Sequence, residues 1–442
     1  MNILHYSLGF PPYRSGGLTK FCMDLASQQV KEGHAVGILW PGQMTVSGGK
    51  CRIKKGDPYQ GIQSFELIDP NPVSYDEGIT DIPAFLQKGD EDVYARFLKE
   101  WKPDIIHIHT LMGLHESLLS AAKQLGIRTC FTTHDFFPIC PKVTLFRDGE
   151  VCLDAAECRS CPACNTTALS LQKIRLLQTP AYRKLKDSAV VKKLRKEHRD
   201  AYLSDERPAA VGQTKNQPDD YRKLREYYGQ ILSMIDVVHY NSSVAKDVYE
   251  RFFSLSDHRM IPITHSDVSD HRVKKEFSEK LRISYLGPQS AHKGYYILKQ
   301  ALDELWKERP NFSLQVFFEP VHPSEYEICH ERYSYAELEQ IMYDSDLVIV
   351  PSIWYETFGF TAEEAMSFGV PVIVSSRVGA KDIIPEGGGI VFDEISPEGI
   401  QKVIRDLDRT GLENMNEVLC QTPVLTIERM SRAIRENCYC CI

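Results

Sequence analysis

The segment from Asp346 to Val374 alternates apolar runs with a helical pattern in a way that permits few folds. Asp346-Leu-Val-Ile-Val350 is a short apolar run typical of a buried strand, and Val370-Pro-Val-Ile-Val374 begins another. Between them, Phe360 to Phe368 has a helical pattern, and Gly369 suits the position just after the helix. The segment therefore predicts a strand, loop, helix and strand of an open parallel sheet, which binds ligands beyond the carboxyl ends of its strands.

Two carboxylates lie on this unit, eight residues apart. Glu356 falls in the loop and Glu364 about one turn into the helix, so both are expected to face the same crevice. One carboxylate can then accept hydrogen bonds from one polyol while the second holds another. A nucleotide sugar has this layout, with sugar hydroxyls at one end, ribose hydroxyls at the other and a diphosphate between. Two glutamates at this spacing are a weak signal alone, so the surrounding frame carries the prediction.

The stretch from Pro351 to Pro371 resembles the signature of retaining glycosyltransferase family 4 (group 1), whose members have the two-domain GT-B fold. The resemblance implies that Glu356 contacts the transferred sugar and that Glu364 binds the nucleotide ribose. It also implies that backbone amides of Phe358-Gly359-Phe360 contact the phosphates. Members react by front-face substitution without an assigned protein nucleophile, so the implied role of Glu356 is positioning, and no cofactor is expected for catalysis.

The first forty residues predict a second nucleotide-binding type of sheet. Asn2 to Tyr6 and Ala35 to Trp40 are strand candidates, and Leu18 to Lys31 is a helix candidate. Gly16 and Gly17 precede that helix and permit close backbone approach by a diphosphate or sugar, although paired glycines also occur in ordinary turns. The loop resembles the glycine-rich loop of the family. It is not the Gly-x-Gly-x-x-Gly fingerprint, which disfavours a nicotinamide enzyme.

Three histidines follow or lie on another predicted pair of strands. His107 and His109 share a face of the strand Asp104 to His109, and we favour a packing or crevice-lining role for them over a metal site. His134 ends the strand that begins at Arg128, at the edge where ligands are expected. Thr133-His134-Asp135 matches the family position whose histidine faces the transferred sugar, so the resemblance implies an active-site role for His134.

Lys293 is the predicted phosphate ligand of the C-terminal half. The loop Gly287-Pro-Gln-Ser-Ala-His-Lys-Gly294 follows a strand candidate and opens a helix, so the Lys293 ammonium would lie beside a helix N-terminus. The loop fits the family's phosphate loop with one departure, because Pro288 stands where the family carries an arginine. Arg332 is a possible substitute for that contact.

Five cysteines lie between residues 140 and 164. Cys152, Cys158, Cys161 and Cys164 supply enough thiolates for a structural zinc ion, and Cys140 is a possible replacement ligand. Unmetallated loop thiols are an equally weighted reading, and an iron-sulfur cluster is a weaker one. The terminal Cys438-Tyr-Cys-Cys-Ile442 is not a prenylation box and is expected only to end the chain.

Composition excludes several classes of protein. The 442 residues are 43% hydrophobic and 25% charged, and 60 acidic against 52 basic residues give a net charge of −8, which argues against a nucleic-acid binder. The N-terminus lacks the pattern of a secretory signal, and no apolar run approaches the roughly 18 residues of a membrane span. We therefore expect a cytoplasmic protein with reduced thiols.

One segment reverses this charge balance. From Lys173 to Arg199, ten basic residues accompany two acidic ones, on a broken helical apolar pattern interrupted at Pro180. Such helices dock on anionic lipid surfaces or bind anionic ligands, and a solvated cap over the domain is an equal alternative. Peripheral contact with an anionic membrane, at its inner face, is thus one of two equally weighted interpretations of the segment.

We predict an α/β protein with three parts: an N-terminal Rossmann-like acceptor domain (1–268), a C-terminal donor domain (269–420) and a terminal helix crossing back with its tail (421–442). The acceptor domain includes the Cys-rich loop (140–164) and the basic helical segment (169–203). The expected function is transfer of a sugar from a nucleotide sugar, UDP- or GDP-linked, to a saccharide or lipid-linked saccharide acceptor in surface polysaccharide or glycoconjugate synthesis. The alternatives are a catalytically silent sugar- or nucleotide-binding partner and a GT-B phosphorylase or epimerase.

Overall fold

The computed structural model describes residues 1–74, 77–152, 156–185, 188, 215–320 and 322–440. Two parallel sheets form its framework, one in each half of the chain. Their central strands are buried along nearly their whole length, as apolar strands are when both faces of a parallel sheet are covered.

The N-terminal sheet has eight strands: β1 (Asn2–Tyr6), β2 (Ala35–Pro41), β3 (Arg52–Lys55), β4 (Gln63–Ile68), β5 (Ile105–Ile108), β6 (Arg128–Thr132), β9 (Val237–Tyr240) and β10 (His258–Met260). The strands between them in sequence, β7 (Phe146–Arg147) and β8 (Glu150–Val151), form a separate hairpin. The sheet order is β10-β9-β6-β5-β1-β2-β4-β3, with β3 antiparallel to its neighbour. The strand order reverses between β1 and β5, and the loops after these strands therefore flank a crevice.

Nine helices accompany this sheet: α1 (Gly17–Lys31), α2 (Ile82–Phe85), α3 (Glu91–Trp101), α4 (Glu116–Gln124), α5 (Cys161–Cys164), α6 (Leu171–Leu177), α7 (Pro180–Leu185), α8 (Pro218–Ser233) and α9 (Ser243–Glu250), counted within the described ranges. Helices α6 and α7 confirm the predicted helical start of the basic segment and its break before Pro180. Its remaining basic residues, including Lys192, Lys193, Arg195 and Lys196, lie outside the described residues. Helix α8 begins at Pro218, where Gln217 and Asp220 form a capping box.

The C-terminal sheet has six parallel strands: β11 (Leu281–Tyr285), β12 (Phe312–Val316), β13 (Glu327–Cys329), β14 (Leu347–Val350), β15 (Val372–Ser375) and β16 (Gly389–Phe392). Their order, β13-β12-β11-β14-β15-β16, is that of a Rossmann sheet. The order reverses between β11 and β14. This reversal places the loops that carry Lys293 and Glu356 side by side.

The remaining helices are α10 (Tyr295–Glu308), α11 (Leu338–Tyr343), α12 (Phe360–Ser367), α13 (Pro397–Arg405), α14 (Arg409–Gln421) and α15 (Ile427–Ile434), with short 3₁₀ turns at Tyr335–Glu337 and Gly379–Ile383. Helix α15 continues into a π-helical turn, Arg435–Tyr439, and returns to the N-terminal sheet as predicted. There Met430, Ile434 and Cys438 join the core that contains Phe21 and Cys130. No helix within the described ranges has the length and apolar character needed to cross a membrane.

Candidate functional site

The loops after β11 and β14 are joined to each other at the crevice. The His292 carbonyl accepts hydrogen bonds from the backbone N–H groups of Ile353 (2.9 Å) and Trp354 (3.2 Å). Gly294 begins α10 with φ +81°, and a Cβ added there would lie 1.9 Å from the Pro351 carbonyl oxygen. Only glycine fits this approach. The loop that carries Lys293 is therefore fixed against the loop that carries Glu356.

Lys293 and Glu356 form an ion pair at the centre of these loops. The Lys293 Nζ lies 2.6 Å from Glu356 Oε1 and 4.9 Å from the centroid of the Trp354 ring. Ser352 Oγ donates to the second carboxylate oxygen at 2.6 Å. Burial alone would raise the pKa of Glu356, but the Lys293 charge and the hydrogen bonds from Lys293 and Ser352 outweigh it and lower that pKa. The site thus holds an ionised carboxylate and a positive charge in contact.

The turn after Glu356 presents the N-terminus of α12. Gly359 has φ +103°, and a Cβ there would lie 2.7 Å from Val378 Cγ1, so a side chain would be strained at this position. Among the described residues, no side chain caps this end of α12. The Phe358-Gly359-Phe360 turn therefore leaves amide groups suited to an anion, and their contact with a diphosphate stays a prediction.

Glu364 lies in a different environment from Glu356. Its Oε1 atom is 2.9 Å from Nε2 of His265, and both side chains are buried. The Tyr335 hydroxyl hydrogen-bonds to Glu364 as well; burial, then the Glu364 charge, raises the pKa of Tyr335. Arg332 lies on the same loop as Tyr335. Sequence reasoning missed His265, because nothing near residue 265 in sequence marks it as a partner of α12.

Glu363, beside Glu364, is also buried. Within the described residues neither of its carboxylate oxygens has a hydrogen-bond partner that meets distance and angle criteria, although Thr264 is nearby. Burial raises the pKa of Glu363 well above its usual value. Burial thus favours the neutral form of Glu363, whereas Lys293 and Ser352 favour the ionised form of Glu356.

His134 contacts the loop that carries Glu356 from the other side of the cleft. Thr357 Oγ1 donates to the His134 carbonyl oxygen at 3.0 Å, and Ser242 Oγ donates to the Thr357 carbonyl oxygen at 2.5 Å. The Phe21 ring packs on the imidazole with a centroid distance of 4.6 Å. Burial, followed by the nearby His239, lowers the pKa of His134 to about 3. The His134 imidazole is therefore neutral. It lies in the same cleft as the loop that carries Glu356.

The two glycines of the N-terminal loop occupy different places. A Cβ at Gly17 would lie 3.4 Å from the Phe360 ring, so this glycine packs directly against the Phe358-Gly359-Phe360 turn. Gly16 has φ +118° and open space around it. The structure thus brings Gly17, Phe360, Glu356, Lys293 and His134 to one cleft.

The cysteine cluster is partly assembled. Cys158 and Cys161 are hydrogen-bonded to each other, and this bond, with help from Arg225, lowers the pKa of Cys158 to about 7. Burial raises the pKa of Cys140 to about 11. Among the described residues, no three of the five sulfur atoms lie within 4.8 Å of one another. The thiol donors suit zinc chemically, and a structural zinc ion stays a prediction.

If these thiols hold zinc, purified protein should carry about one metal ion per chain and lose thermal stability after chelation, because structural metal binding contributes to folding. Elemental analysis of protein prepared without chelator measures the metal. Cys161→Ser combined with Cys164→Ser should abolish it, whereas the exposed Cys329→Ser serves as the control. Absence of stoichiometric zinc or iron would leave the loop-thiol reading standing.

Glu364→Ala should weaken binding of the free nucleotide by about tenfold, because a hydrogen bond to a charged group contributes about 1.5–3 kcal/mol. Calorimetry with UDP and GDP measures this loss. Glu363→Gln is the matched control, since Glu363 is the adjacent buried carboxyl, burial favours its neutral form, and an amide has the same shape. Unchanged nucleotide affinity in the Glu364 variant would refute the ribose assignment.

Two family models match the chain, one in each half. The model described as glycosyltransferase family 4 matches residues 15–149, and that described as glycosyl transferases group 1 matches residues 327–417. A curated Klebsiella pneumoniae relative, an uncharacterised 41.2 kDa protein in the cps region, is 26% identical over 155 residues. This match covers 34% of the chain, which spans 41% of that relative's length.

Solved glycosyltransferases share the whole architecture. Anabaena HepE, in complex with UDP and glucose, aligns with a TM-score of 0.53 and 12% identity, covering 98% of both chains. WaaG, a glycosyltransferase involved in lipopolysaccharide biosynthesis, aligns with a TM-score of 0.51 and 13% identity, covering 98% of this chain and 99% of WaaG. At such low identity the structural similarity shows the fold alone. The predicted GT-B fold is confirmed.

Proposed function

The chain belongs to the group 1, family 4 glycosyltransferases, and on that premise we propose that it transfers a sugar from a nucleotide-sugar donor to a saccharide or lipid-linked saccharide, with retention at the anomeric carbon and without a catalytic metal. The observation that carries the proposal is the Lys293–Glu356 pair at the strand-order reversal of the C-terminal sheet, facing His134 through Thr357. HepE was solved with UDP-glucose, which favours UDP over GDP as the first nucleotide to test.

Each end of the site suits a different part of such a donor. The Lys293 ammonium and the uncapped N-terminus of α12 supply positive potential for a diphosphate leaving group, the preorganised electrostatic stabilisation that such a reaction requires. Glu364, held by His265, is suited to the ribose hydroxyls. Glu356 and His134 approach the space between the domains, where the transferred sugar would lie.

Incubation with UDP- and GDP-sugars, with and without saccharide acceptors, tests this function. We expect acceptor-dependent nucleotide release, an unchanged rate with EDTA, and a product whose anomeric configuration by NMR matches that of the donor. Nucleotide binding without turnover on any acceptor would instead support a silent binding partner. Release of a sugar 1-phosphate or of an epimerised nucleotide sugar would support a phosphorylase or an epimerase.

A role in surface polysaccharide synthesis, at the inner face of a membrane, is the finer part of the proposal. The cps-region setting of the Klebsiella relative and the lipopolysaccharide role of WaaG support the first part. The basic helices support the second, because Leu176, Leu177 and Leu185 are exposed by 58%, 40% and 59%. Apolar side chains beside basic residues suit the surface of an anionic bilayer, where a lipid-linked acceptor would lie.

Flotation with liposomes tests this contact. We expect binding to anionic but not neutral vesicles at low salt, weakening at high salt, because each Lys or Arg near such a surface contributes about 1 kcal/mol. Replacement of Lys192, Lys193, Arg195 and Lys196 by Gln should reduce binding, and so should replacement of the three exposed leucines by Ser. Recovery of wild type in the lipid-free fraction at low salt would refute the membrane contact.

A further inference from the structure

A continuous chain of polar side chains lies inside the N-terminal domain and ends at His134. It contains imidazoles from three parallel strands of one sheet, namely His5 on β1, His107 on β5 and His239 on β9, together with His109 just after β5. All four are completely buried. The parallel register places His5 opposite His107, and their ring centroids are 5.5 Å apart.

Eight hydrogen bonds connect the members of this chain, which we term the histidine chain. In order they are His134 Nε2–His109 Nδ1 (3.3 Å), His109 Nε2–His5 Nδ1 (2.9 Å), His5 Nε2–Gln29 Oε1 (2.7 Å), Gln29 Nε2–Tyr439 OH (3.1 Å), Tyr439 OH–His107 Nδ1 (2.7 Å), His107 Nε2–Thr132 Oγ1 (2.6 Å), Thr132 Oγ1–His239 Nδ1 (2.8 Å) and His239 Nε2–Ile261 O (2.8 Å).

The last bond fixes the direction of the bonds before it. The Ile261 carbonyl is an acceptor only, so His239 donates from Nε2 and, as a neutral ring, accepts at Nδ1 from the Thr132 hydroxyl. Thr132 must then accept from His107 Nε2, and His107 Nδ1 must accept from the Tyr439 hydroxyl. Each hydrogen-bonding atom from Ile261 to Tyr439 is therefore fixed as either a donor or an acceptor.

The same reasoning continues to the cleft. The Tyr439 hydroxyl donates its hydrogen to His107, so its oxygen accepts a hydrogen bond from the Gln29 amide N–H. This bond orients the Gln29 carbonyl oxygen toward His5. His5 then donates from Nε2 and accepts at Nδ1 from His109 Nε2, which leaves His109 Nδ1 to accept from His134 Nε2. A neutral His134 therefore carries its hydrogen on Nε2 and a lone pair on Nδ1.

The neutrality on which this reasoning depends has a physical cause. Burial lowers the pKa of His5 and His239 to about 4 and that of His107 and His109 well below the usual value. A charged imidazole would donate from both nitrogens, and the chain offers each ring one donor and one acceptor.

A metal site is the competing use of these side chains. One nitrogen from each of His5, His107 and His109 lies within 4.8 Å of the others, a spacing that could hold an ion. However, all six ring nitrogens already have hydrogen-bond partners at 2.6–3.3 Å. An ion would have to displace several of these bonds, so the geometry favours the hydrogen-bonded chain over metal binding.

We propose that the histidine chain fixes the tautomer of His134, with Gln29 and Tyr439 as positioning residues, and presents Nδ1 as a hydrogen-bond acceptor at the cleft. The described residues offer Nδ1 no hydrogen-bond partner, and a hydroxyl of a bound sugar would supply one. That last consequence rests on the proposed function, whereas the tautomer itself does not. Tyr439 belongs to the C-terminal π-helical turn. The C-terminus of the polypeptide therefore influences the cleft without contacting it.

Nitrogen-15 NMR of the histidine side chains in the full-length protein tests the proposal, because two-bond correlations distinguish the Nδ1–H and Nε2–H tautomers. His134→Asn assigns the signal. In wild type, His134 should be the Nε2–H tautomer. Tyr439→Phe removes the acceptor of the Gln29 amide, and Gln29→Leu removes the amide itself, so either variant should show a mixture of His134 tautomers. His239, anchored by Ile261, should stay Nε2–H in both.

Tyr228→Phe is the matched control, because its buried hydroxyl donates to the Phe85 carbonyl and lies outside the histidine chain. It should leave the His134 tautomer unchanged. In a transfer assay, Tyr439→Phe should lower kcat about fivefold with donor KM within about twofold, the scale of one neutral hydrogen bond. A His134 that is Nδ1–H in wild type, or that stays Nε2–H in both Tyr439→Phe and Gln29→Leu, would overturn the proposal. Correct tautomers without any transfer activity would instead count against the proposed function alone.

Discussion

Lys293→Ala is expected to lower the turnover of sugar transfer by about 10²–10³-fold, the scale observed when a preorganised electrostatic donor is removed from an active site. The family's second cationic contact is absent, since Pro288 stands at its position. Arg332 lies on the loop beside Glu364, at the end of the site where the ribose is predicted to bind. Arg377, another cation near the donor loop, already donates to the Ile353 carbonyl at 2.5 Å. We therefore expect Lys293 to be the main cation that stabilises the leaving group.

Steady-state kinetics with the preferred donor measure this effect. Lys307→Ala is the control, because Lys307 forms an exposed ion pair with Glu304 in the same domain and such pairs contribute little. A Lys293 variant with near-normal turnover, in protein that still binds nucleotide, would show that another group stabilises the diphosphate.

The framework of the site was predictable from local sequence patterns. The apolar run before Pro351 and the helical pattern from Phe360 fix a strand and a helix, and parallel strands place the following loops at one edge. Each of these inferences depends on residues close together in sequence or on a topological rule. The ion pair between Lys293 and Glu356 was not predicted, because it depends on the order of β11 and β14 in the sheet.

The partners that hold the site residues were not predictable in this way. His265 reaches Glu364 from 99 residues away, and Tyr439 reaches His107 from 332 residues away. The interpretation that the terminal residues only end the chain was wrong for Cys438 and Tyr439, which are 0% and 4% exposed. Their burial depends on the return of α15 to the first sheet, a tertiary contact that has no local signature.

The partners of His107 and His109 also could not be predicted from local sequence. Their placement on one face of a strand was correctly derived from the period of two. Their hydrogen-bond partners come from four other elements, and only those partners decide between a metal site and a polar chain. The expected packing or crevice-lining role was therefore incomplete, because both rings are buried and are connected through His109 to the cleft.

Glu356→Gln should lower turnover by about 10²-fold, the scale expected when the transferred sugar is misplaced relative to its acceptor. It should leave nucleotide affinity unchanged or slightly increased. The amide retains the size of the side chain and can still accept from Ser352, but it no longer neutralises Lys293. An uncompensated ammonium beside an uncapped helix N-terminus attracts a diphosphate more strongly than a paired one. Calorimetry with UDP, together with kinetics on the same preparation, separates the two quantities.

The double variant Lys293→Ala, Glu356→Gln tests whether the two residues act as a pair. Because their charged atoms are 2.6 Å apart, their effects on turnover should be less than additive. Additive losses would mean that each residue acts on a separate part of the donor without the other. A Glu356→Gln protein with much weaker nucleotide binding and normal turnover at saturation would contradict the sugar-positioning role, since Glu356 would then contribute uniform binding only.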